Sequence, residues 1–174
     1  MKLCFIRLVI FAPILFLSSC APVRPPVVKA FADGKDWVLM RPLDYDIPAA
    51  HQKGTIPQGF VTDFASIPHS LWSALPPYAR YGPASVVHDY LYWTQPCSRE
   101  EADIALREAM RESGVSPVTR ETIYRAVRAG GGSAWSADAR ERAQGLQRII
   151  PAERIEDIPP ELTWPEYRKT LAKP

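Results

Sequence analysis

A histidine and an aspartate stand side by side in an otherwise apolar and aromatic run, Ser-Val-Val-His-Asp-Tyr-Leu-Tyr-Trp at residues 85–93. Because Pro83 suits the first turn of a helix, the sequence predicts a helix from about Pro83 to about Thr94. Adjacent residues of a helix point about 100° apart, so His88 and Asp89 serve different directions. Other elements must surround this helix to meet both side chains, which makes it the best candidate for a functional site.

Two more helices follow, and each has clear end signals. The second is predicted to start at Ser98, which forms a capping box with Glu101, and to stop near Gly114. The third is predicted from Ser116 to the triple glycine 130–132. The inward-facing apolar residues are Ala102, Ala105, Leu106, Ala109 and Met110 on the second helix and Ile123, Ala126 and Val127 on the third. Because the connections are short, consecutive helices should lie roughly antiparallel and in contact.

Upstream of these helices, apolar residues recur with a period of two, which is typical of strands. One bent strand or two short ones are predicted over 37–47, with Pro42 at an edge or break, and an answering strand over 54–62. The predicted fold class is therefore α+β, a small antiparallel β hairpin or sheet followed by a three-helix core. Residues 37–130 are expected to form this single domain.

Residues 131–174 are predicted to form a C-terminal extension, an extended helical tail beyond the domain. The apolar positions that indicate an amphipathic helix there are Trp135, Ala139, Leu146 and Ile149. An extended acidic strap is predicted over 150–160, and a last short helix near Thr163. The composition leaves open whether this tail is a packing extension or an arm that binds a partner.

The first 19 residues have the three parts of an export signal. Two basic residues precede an apolar run at 8–17, which is too short to favour a membrane-spanning helix, and small residues follow. Leu17-Ser18-Ser19-Cys20 resembles a bacterial lipobox, which implies that the signal peptide 1–19 is cleaved and that Cys20 carries palmitate or a similar acyl chain. Because Ala21 stands where an aspartate would tend to retain a lipoprotein on the inner membrane, the periplasmic face of the outer membrane is the expected location.

A Pro-rich tether over residues 20–36 is expected between the lipid and the domain, because proline removes backbone donors and favours an extended chain. Once the signal is removed and Cys20 is acylated, Cys97 is the cysteine left in the folded part, so no intrachain disulfide is expected. Loss of the signal's two basic residues lowers the Lys and Arg count from 21 to 19, equal to the 19 acidic residues. A balanced chain gives no reason to expect a nucleic-acid partner, and a monomer is expected.

Asp103 lies at the border of the second helix's apolar stripe, where an unpaired carboxylate would be costly. His88 on the preceding helix is the expected partner, because a carboxylate that holds one imidazole nitrogen leaves the other to take a proton from water. Asp89, which points away from His88, is then predicted to hold a cation that polarises the electrophile. Tyr92, one turn after His88, and Tyr124 on the third helix are predicted to hydrogen-bond Asp103. The alternative is a purely structural pair of His88 and Asp103, with Asp89 a solvated helix residue.

A polar elbow, residues 62–66, joins the last predicted strand to the helical part. Thr62, Asp63 and Ser66 are candidates to line the site at His88. The competing interpretation is that Asp63 and Ser66 hydrogen-bond free backbone amides, as turn and cap residues usually do.

Three motifs occur in order within residues 59–128: Thr-Asp-Phe-Ala-Ser-Ile-Pro, His-Asp-Tyr-Leu-Tyr and Glu-Ala-Asp. This pattern resembles a bacterial and phage domain family of unknown function, which implies no particular activity. The order of His88, Asp89, Tyr92 and Asp103 is also similar to the secretory phospholipase A₂ family, especially its bacterial members. That resemblance implies that His88 is the general base for an attacking water, Asp103 its orienting carboxylate, Tyr92 a support for the pair and Asp89 a calcium ligand.

The chain departs from the phospholipase pattern at two places. The family's glycine-rich calcium loop has no clear counterpart here. The candidate substitute is the segment Gly59–Asp63, with Asp63 as a calcium ligand. The family's disulfide-forming cysteines near the histidine are missing, and Ser85 and Leu91 occupy such places. Both departures bear on calcium binding and turnover more than on the geometry of the helix pair.

Three functions are compatible with the sequence. The first is a membrane-tethered hydrolase of ester bonds that acts on phospholipid. The second is a non-catalytic envelope or prophage-derived lipoprotein that binds a protein partner. The third is a metal-dependent peptidase or wall hydrolase, which has less support because the chain contains no His-Glu-x-x-His motif. A hydrolase requires His88 and Asp103 within hydrogen-bond reach and a cleft at Asp89, whereas a buried pair without a cleft favours the structural role.

Overall fold

The computed structural model describes residues 22–64 and 80–171. Cys20, Ser66 and the signal segment 1–19 lie outside the described residues. The described chain folds as small antiparallel sheets followed by helices, so the α+β prediction is confirmed. Within these ranges no helix has both the length and the apolar character needed to cross a membrane.

Five short strands form two antiparallel sheets within residues 22–64. The first sheet has the order β1-β2-β5, and a hairpin of β3 and β4 forms the second. The strands are β1 (Val28–Ala30), β2 (Trp37–Leu39), β3 (Leu43–Ile47), β4 (Gln52–Ile56) and β5 (Val61–Thr62). Alternate residues of β3 are buried, as the period of two predicts. The segment 37–47 is thus two short strands, one of the two predicted possibilities.

Two strand assignments differ from the prediction. The answering strand at 54–62 is divided into β4 and β5, since Gly59 adopts φ 86° and turns the chain. The segment predicted as a tether contains β1, whose three residues pair with β2. The tether's start is also packed, because Val23 is only 6 % exposed and belongs to the main core. The chain before β1 is therefore laid against the domain.

The helical part, as far as it is described, begins with α1 (Gly82–Thr94), α2 (Arg99–Glu112) and α3 (Pro117–Gly130). The predicted capping box at Ser98 is present, with Ser98 and Glu101 each accepting from the other's backbone N–H. Ser116 caps α3 by accepting from the N–H of Thr119. Almost every residue of α1 is buried, because α2, α4 (Gly132–Ala143) and β5 all contact it. The helix that carries His88 is therefore the centre of the fold.

Residues 131–174, predicted as an extension, pack onto the domain as far as they are described. Trp135 on α4 packs against the main core. A second core lies on the first sheet and is formed by Phe31, Val38, Val61, Ile150, Ile155, Ile158, Trp164 and Tyr167. The last of these residues belong to α5 (Trp164–Leu171). The described part of the tail is therefore packed onto the domain.

The helix predicted from Trp135 to Ile149 ends early, at Ala143. Gly145 adopts φ 75°, a left-handed conformation that glycine tolerates and that ends a helix. Ile149 instead pairs with Phe60 as an isolated antiparallel bridge. The chain after α4 therefore runs back along β5, which brings Arg148 beside the elbow that precedes the helical part.

Candidate functional site

Asp103 is completely buried and accepts hydrogen bonds from three helices. Its Oδ1 lies 2.9 Å from His88 Nε2 and accepts from the Tyr92 hydroxyl at 2.6 Å. Its Oδ2 accepts from Arg128 Nη1 at 2.7 Å and from Arg99 Nη1 at 3.2 Å. The contacts of Asp103 with His88 and Tyr92 that the sequence predicts are present, and the two arginines are additional.

Local helix geometry brings these groups together. His88 and Tyr92 are one turn apart on α1, and their ring centroids lie 4.1 Å from each other. Gln95, with φ 51°, ends α1 and turns the chain so that α2 returns along it. Trp135 packs edge-on against Tyr92 with a centroid distance of 5.1 Å. The histidine, the tyrosine and the aspartate are therefore held by packing as well as by hydrogen bonds.

The pKa shifts assign a protonation state to each member of this cluster. Burial lowers the pKa of His88, and its hydrogen bond to Asp103 opposes this only in part. Burial raises the pKa of Asp103, but hydrogen bonds from His88, Tyr92 and Arg128 outweigh it, so the net pKa is lowered. The pKa of Tyr92 is raised by burial and by its bond to Asp103. At neutral pH, Asp103 is ionised, His88 is neutral and Tyr92 keeps its proton.

These states fix the tautomer of His88. An ionised carboxylate only accepts hydrogen bonds, so the proton of the neutral imidazole lies on Nε2, which donates to Asp103. The basic lone pair is then on Nδ1. This is the arrangement in which an imidazole takes a proton from water and the carboxylate stabilises the imidazolium that forms.

A cavity of about 250 Å³ adjoins this cluster. Its lining residues are Asp63, His88, Asp89, Tyr92, Ala126, Val127, Gly130, Gly131, Ala134, Asp138 and Arg148. Asp89, which points about 100° away from His88 around α1, accepts a hydrogen bond from the hydroxyl of Thr62 on β5. Four predicted site residues, His88, Asp89, Tyr92 and Asp63, thus share one cavity, and Thr62 holds Asp89 from behind. The required cleft is present.

Tyr124 has a different place from the one predicted. The Arg107 guanidinium lies over its ring, 4.8 Å from the centroid. Arg128, one turn further along α3, donates to Asp103 in the position expected for the tyrosine. A longer, charged side chain reaches the buried carboxylate from that turn, which the apolar pattern of α3 does not indicate.

Two charged residues of the C-terminal segment complete the cavity. Arg148 donates from Nε to the carbonyl of Val61 at 2.9 Å and from Nη1 to Asp138 at 3.2 Å. Its Nη2 lies 3.4 Å from Asp63 Oδ1. Sequence reasoning missed Arg148 and Asp138, because they lie among ordinary surface-type charges and meet Asp63 only after the chain folds back.

The carboxylates of the cavity do not fit a calcium site as they stand. Calcium needs about six to eight oxygen ligands, several of them carboxylate oxygens. Asp63 and Asp138 are already paired with Arg148, and Asp89 accepts from Thr62. Among residues 22–64 and 80–171, no group of three or more His, Cys, Asp or Glu side chains is arranged to hold a metal. Calcium binding at Asp89 and Asp63 stays a prediction from the resemblance.

Comparison with known proteins identifies the central part of the chain. A family model described as "Protein of unknown function (DUF1353)" matches residues 37–127, which is more than half of the sequence. The chain belongs to the DUF1353 family. The expected membership in a domain family of unknown function is thereby confirmed, and the match begins upstream of the predicted 59–128. No curated protein and no solved structure matches the chain.

The DUF1353 match contains only part of the cavity and of the polar cluster. Thr62, Asp63 and the α1 and α2 members of the cluster around Asp103 lie within residues 37–127, whereas Arg128 lies just beyond them. Gly131, Asp138 and Arg148, which also line the cavity, come from residues beyond the match as well. The C-terminal segment therefore completes the site.

Proposed function

We propose that this protein is a lipoprotein of the outer membrane's periplasmic face that hydrolyses carboxylic esters of phospholipids with water activated by His88. The observation that carries the proposal is the position of the His88 ring, whose Nε2 is bound to Asp103 while the same ring lines a cavity. A structural pair has no need of a cavity at its histidine. The similarity of His88, Asp89, Tyr92 and Asp103 to the secretory phospholipase A₂ pattern supports the same chemistry.

Each side chain has a defined part in the proposed reaction. His88 takes the proton of water at Nδ1, and Asp103 stabilises the imidazolium through Nε2. Tyr92 fixes the orientation of Asp103 by donating to the same oxygen. Asp89, bound to Thr62, holds α1 against β5 and contributes negative charge to the cavity.

The position of the anchor supports a substrate in the membrane. Lipidation is proposed at Cys20, and Val23, three residues later, is buried in the main core. Three residues span at most about 11 Å, so acylation at Cys20 holds the domain against the bilayer surface. A hydrolase held this way meets lipid esters at high local concentration.

The test is hydrolysis of phosphatidylcholine and phosphatidylglycerol in mixed micelles, and the fatty acid that is released is measured. The matched pair of variants is His88→Asn and His51→Asn, because His51 is an exposed loop histidine with φ 54°, a conformation that asparagine tolerates. We expect His88→Asn to lose activity by at least about 100-fold and His51→Asn to keep it. Equal release by wild type and His88→Asn would refute the proposal.

A second function, a non-catalytic envelope lipoprotein that binds a protein partner, is favoured by one observation. Asp103 joins α1, α2 and α3 through four side chains, which is what a structural network does. In that case the His88 and Asp103 variants would lose stability, and no tested ester would be hydrolysed above the background rate. The micelle assay together with thermal melts separates the two functions.

A further inference from the structure

The cavity contains a cation of its own. Arg148 reaches it from the chain after α4, and its side chain is only 14 % exposed. The backbone carbonyl of Val61 and the carboxylate of Asp138 fix the guanidinium on two sides. Arg148 and His88 thus line the same cavity.

Its neighbours keep this guanidinium charged. Burial alone would lower the pKa of Arg148, but Asp63, Asp89, Asp138 and Asp36 around it raise the pKa above its usual range. A buried cation of this kind persists because it is paired and hydrogen-bonded. The fold therefore holds the permanent positive charge of Arg148 at the cavity.

The same carboxylates are the ones that a calcium ion would need. A divalent ion shared between Asp63 and Asp89 would lie beside a guanidinium that is already 3.4 Å from Asp63, and the two cations would repel each other. The donor set therefore suits a guanidinium better than calcium, as the lack of a metal-type cluster in the described ranges also indicates.

We infer that Arg148 is the electrophilic group of the site and that the reaction needs no calcium; this inference rests on the proposed hydrolysis. Val61, Asp138 and Asp63 engage Nε, Nη1 and Nη2 of Arg148, and each terminal nitrogen carries a second N–H that can donate to the carbonyl oxygen of an ester. Fixed donors aimed at developing negative charge are among the strongest contributions to acyl-transfer catalysis.

The chemical step balances with the groups present. The oxygen of water bonds to the ester carbon as its proton passes to Nδ1 of His88, and the C=O electron pair moves onto the oxygen bound by Arg148. That pair then returns, the bond to the alcohol oxygen breaks, and His88 gives its proton to the leaving alkoxide. The products are a carboxylic acid and an alcohol, and both residues return to their starting states.

The experiment compares Arg148→Gln with Arg168→Gln. Arg168 is a matched control because its side chain is 15 % exposed and binds one carboxylate, Glu141, and one carbonyl, that of Gln147, outside the cavity. Micelle hydrolysis is measured with EGTA and with 5 mM CaCl₂ (roughly a saturating concentration for calcium sites). We expect Arg148→Gln to lose about 10²–10³-fold in kcat and Arg168→Gln to lose less than about threefold, with no effect of calcium or EGTA on wild type.

Two results would overturn the inference: an Arg148→Gln protein as active as Arg168→Gln, or wild-type hydrolysis that EGTA abolishes. If Arg148→Gln does not fold, Arg148→Lys, which keeps the charge but not the planar fork, is expected to retain partial activity. Isothermal titration of wild type with CaCl₂ gives a readout without turnover, and heat of binding at the site would contradict the inference. If wild type hydrolyses neither phospholipid in any condition, the proposed function is refuted. The calcium titration still tests separately whether the site binds a calcium ion.

Discussion

Gly131 offers a direct test of how Tyr92 and Asp103 are arranged. A Cβ atom at Gly131 would overlap the Tyr92 hydroxyl oxygen, whereas one at Gly132 would meet nothing within 4 Å. Gly131 has right-handed helical backbone angles, so the backbone allows alanine and the new Cβ acts through its contacts. The same substitution at two adjacent glycines should therefore have opposite effects.

The magnitude follows from the contacts that change. Gly131→Ala forces Tyr92 to move, which costs about 1–3 kcal/mol of overpacking and part of a charge-assisted hydrogen bond of about 1.5–3 kcal/mol. Alanine returns about 0.5–1 kcal/mol by restricting the unfolded chain. We expect Gly131→Ala to destabilise by about 2–4 kcal/mol and Gly132→Ala to stabilise slightly.

The assay is urea unfolding followed by tryptophan fluorescence, and a double-mutant cycle gives the cause. In a Tyr92→Phe background the oxygen that clashes is gone, so the penalty of Gly131→Ala should fall by at least about 1 kcal/mol. Gly131→Ala and Gly132→Ala proteins within about 0.5 kcal/mol of each other would refute the close contact. An undiminished penalty in the Tyr92→Phe background would show that the cost lies elsewhere, as at the Val127 carbonyl, which would lie 2.7 Å from the new Cβ.

Three further predictions concern stability, pH and the anchor. Asp103→Asn should cost about 2–4 kcal/mol in urea unfolding, because donors approach both carboxylate oxygens and the amide NH₂ must face one pair of them; an unchanged midpoint would contradict this. Burial, Asp63 and Asp33 raise the pKa of Asp36 to about 6, so its stabilising contribution is complete below about pH 4 and is lost as pH rises through 6. Melting temperatures of Asp36→Asn should therefore fall less than those of wild type between pH 4 and 7, and parallel curves would contradict the shift (pH limits are approximate). Labelling of cells with palmitate should disappear in Cys20→Ala, and persistent labelling would exclude acylation at that residue.

The sequence predicted the parts of this site that depend on local signals. Pro83 located the start of α1, caps and apolar stripes located α2 and α3, and the one-turn spacing of His88 and Tyr92 placed both on the face that meets Asp103. Tyr124 was misplaced because spacing shows which face a residue shares but not which of two long side chains on it reaches a buried carboxylate.

The remaining parts depend on contacts between distant residues. β1 forms because its backbone pairs with β2, and the proline-rich chain before it gives no local sign of that pairing. Arg148 meets Asp63 only after α4 ends and the chain returns along β5. The resemblance to a calcium-dependent enzyme family predicted Asp89 and Asp63 as calcium ligands. The position of Arg148 beside Asp63 follows only from the structure.

The central claim is that His88 is a neutral base whose Nε2–H is held by Asp103, and ¹⁵N NMR of the imidazole tests it without a substrate. We predict the neutral Nε2–H tautomer for His88 at pH 7 and a titration midpoint below the ordinary 6.5. Asp103→Asn should change the tautomer signal of His88 and leave His51 unaltered. An imidazolium at pH 7, or a neutral ring with its proton on Nδ1, would contradict the account.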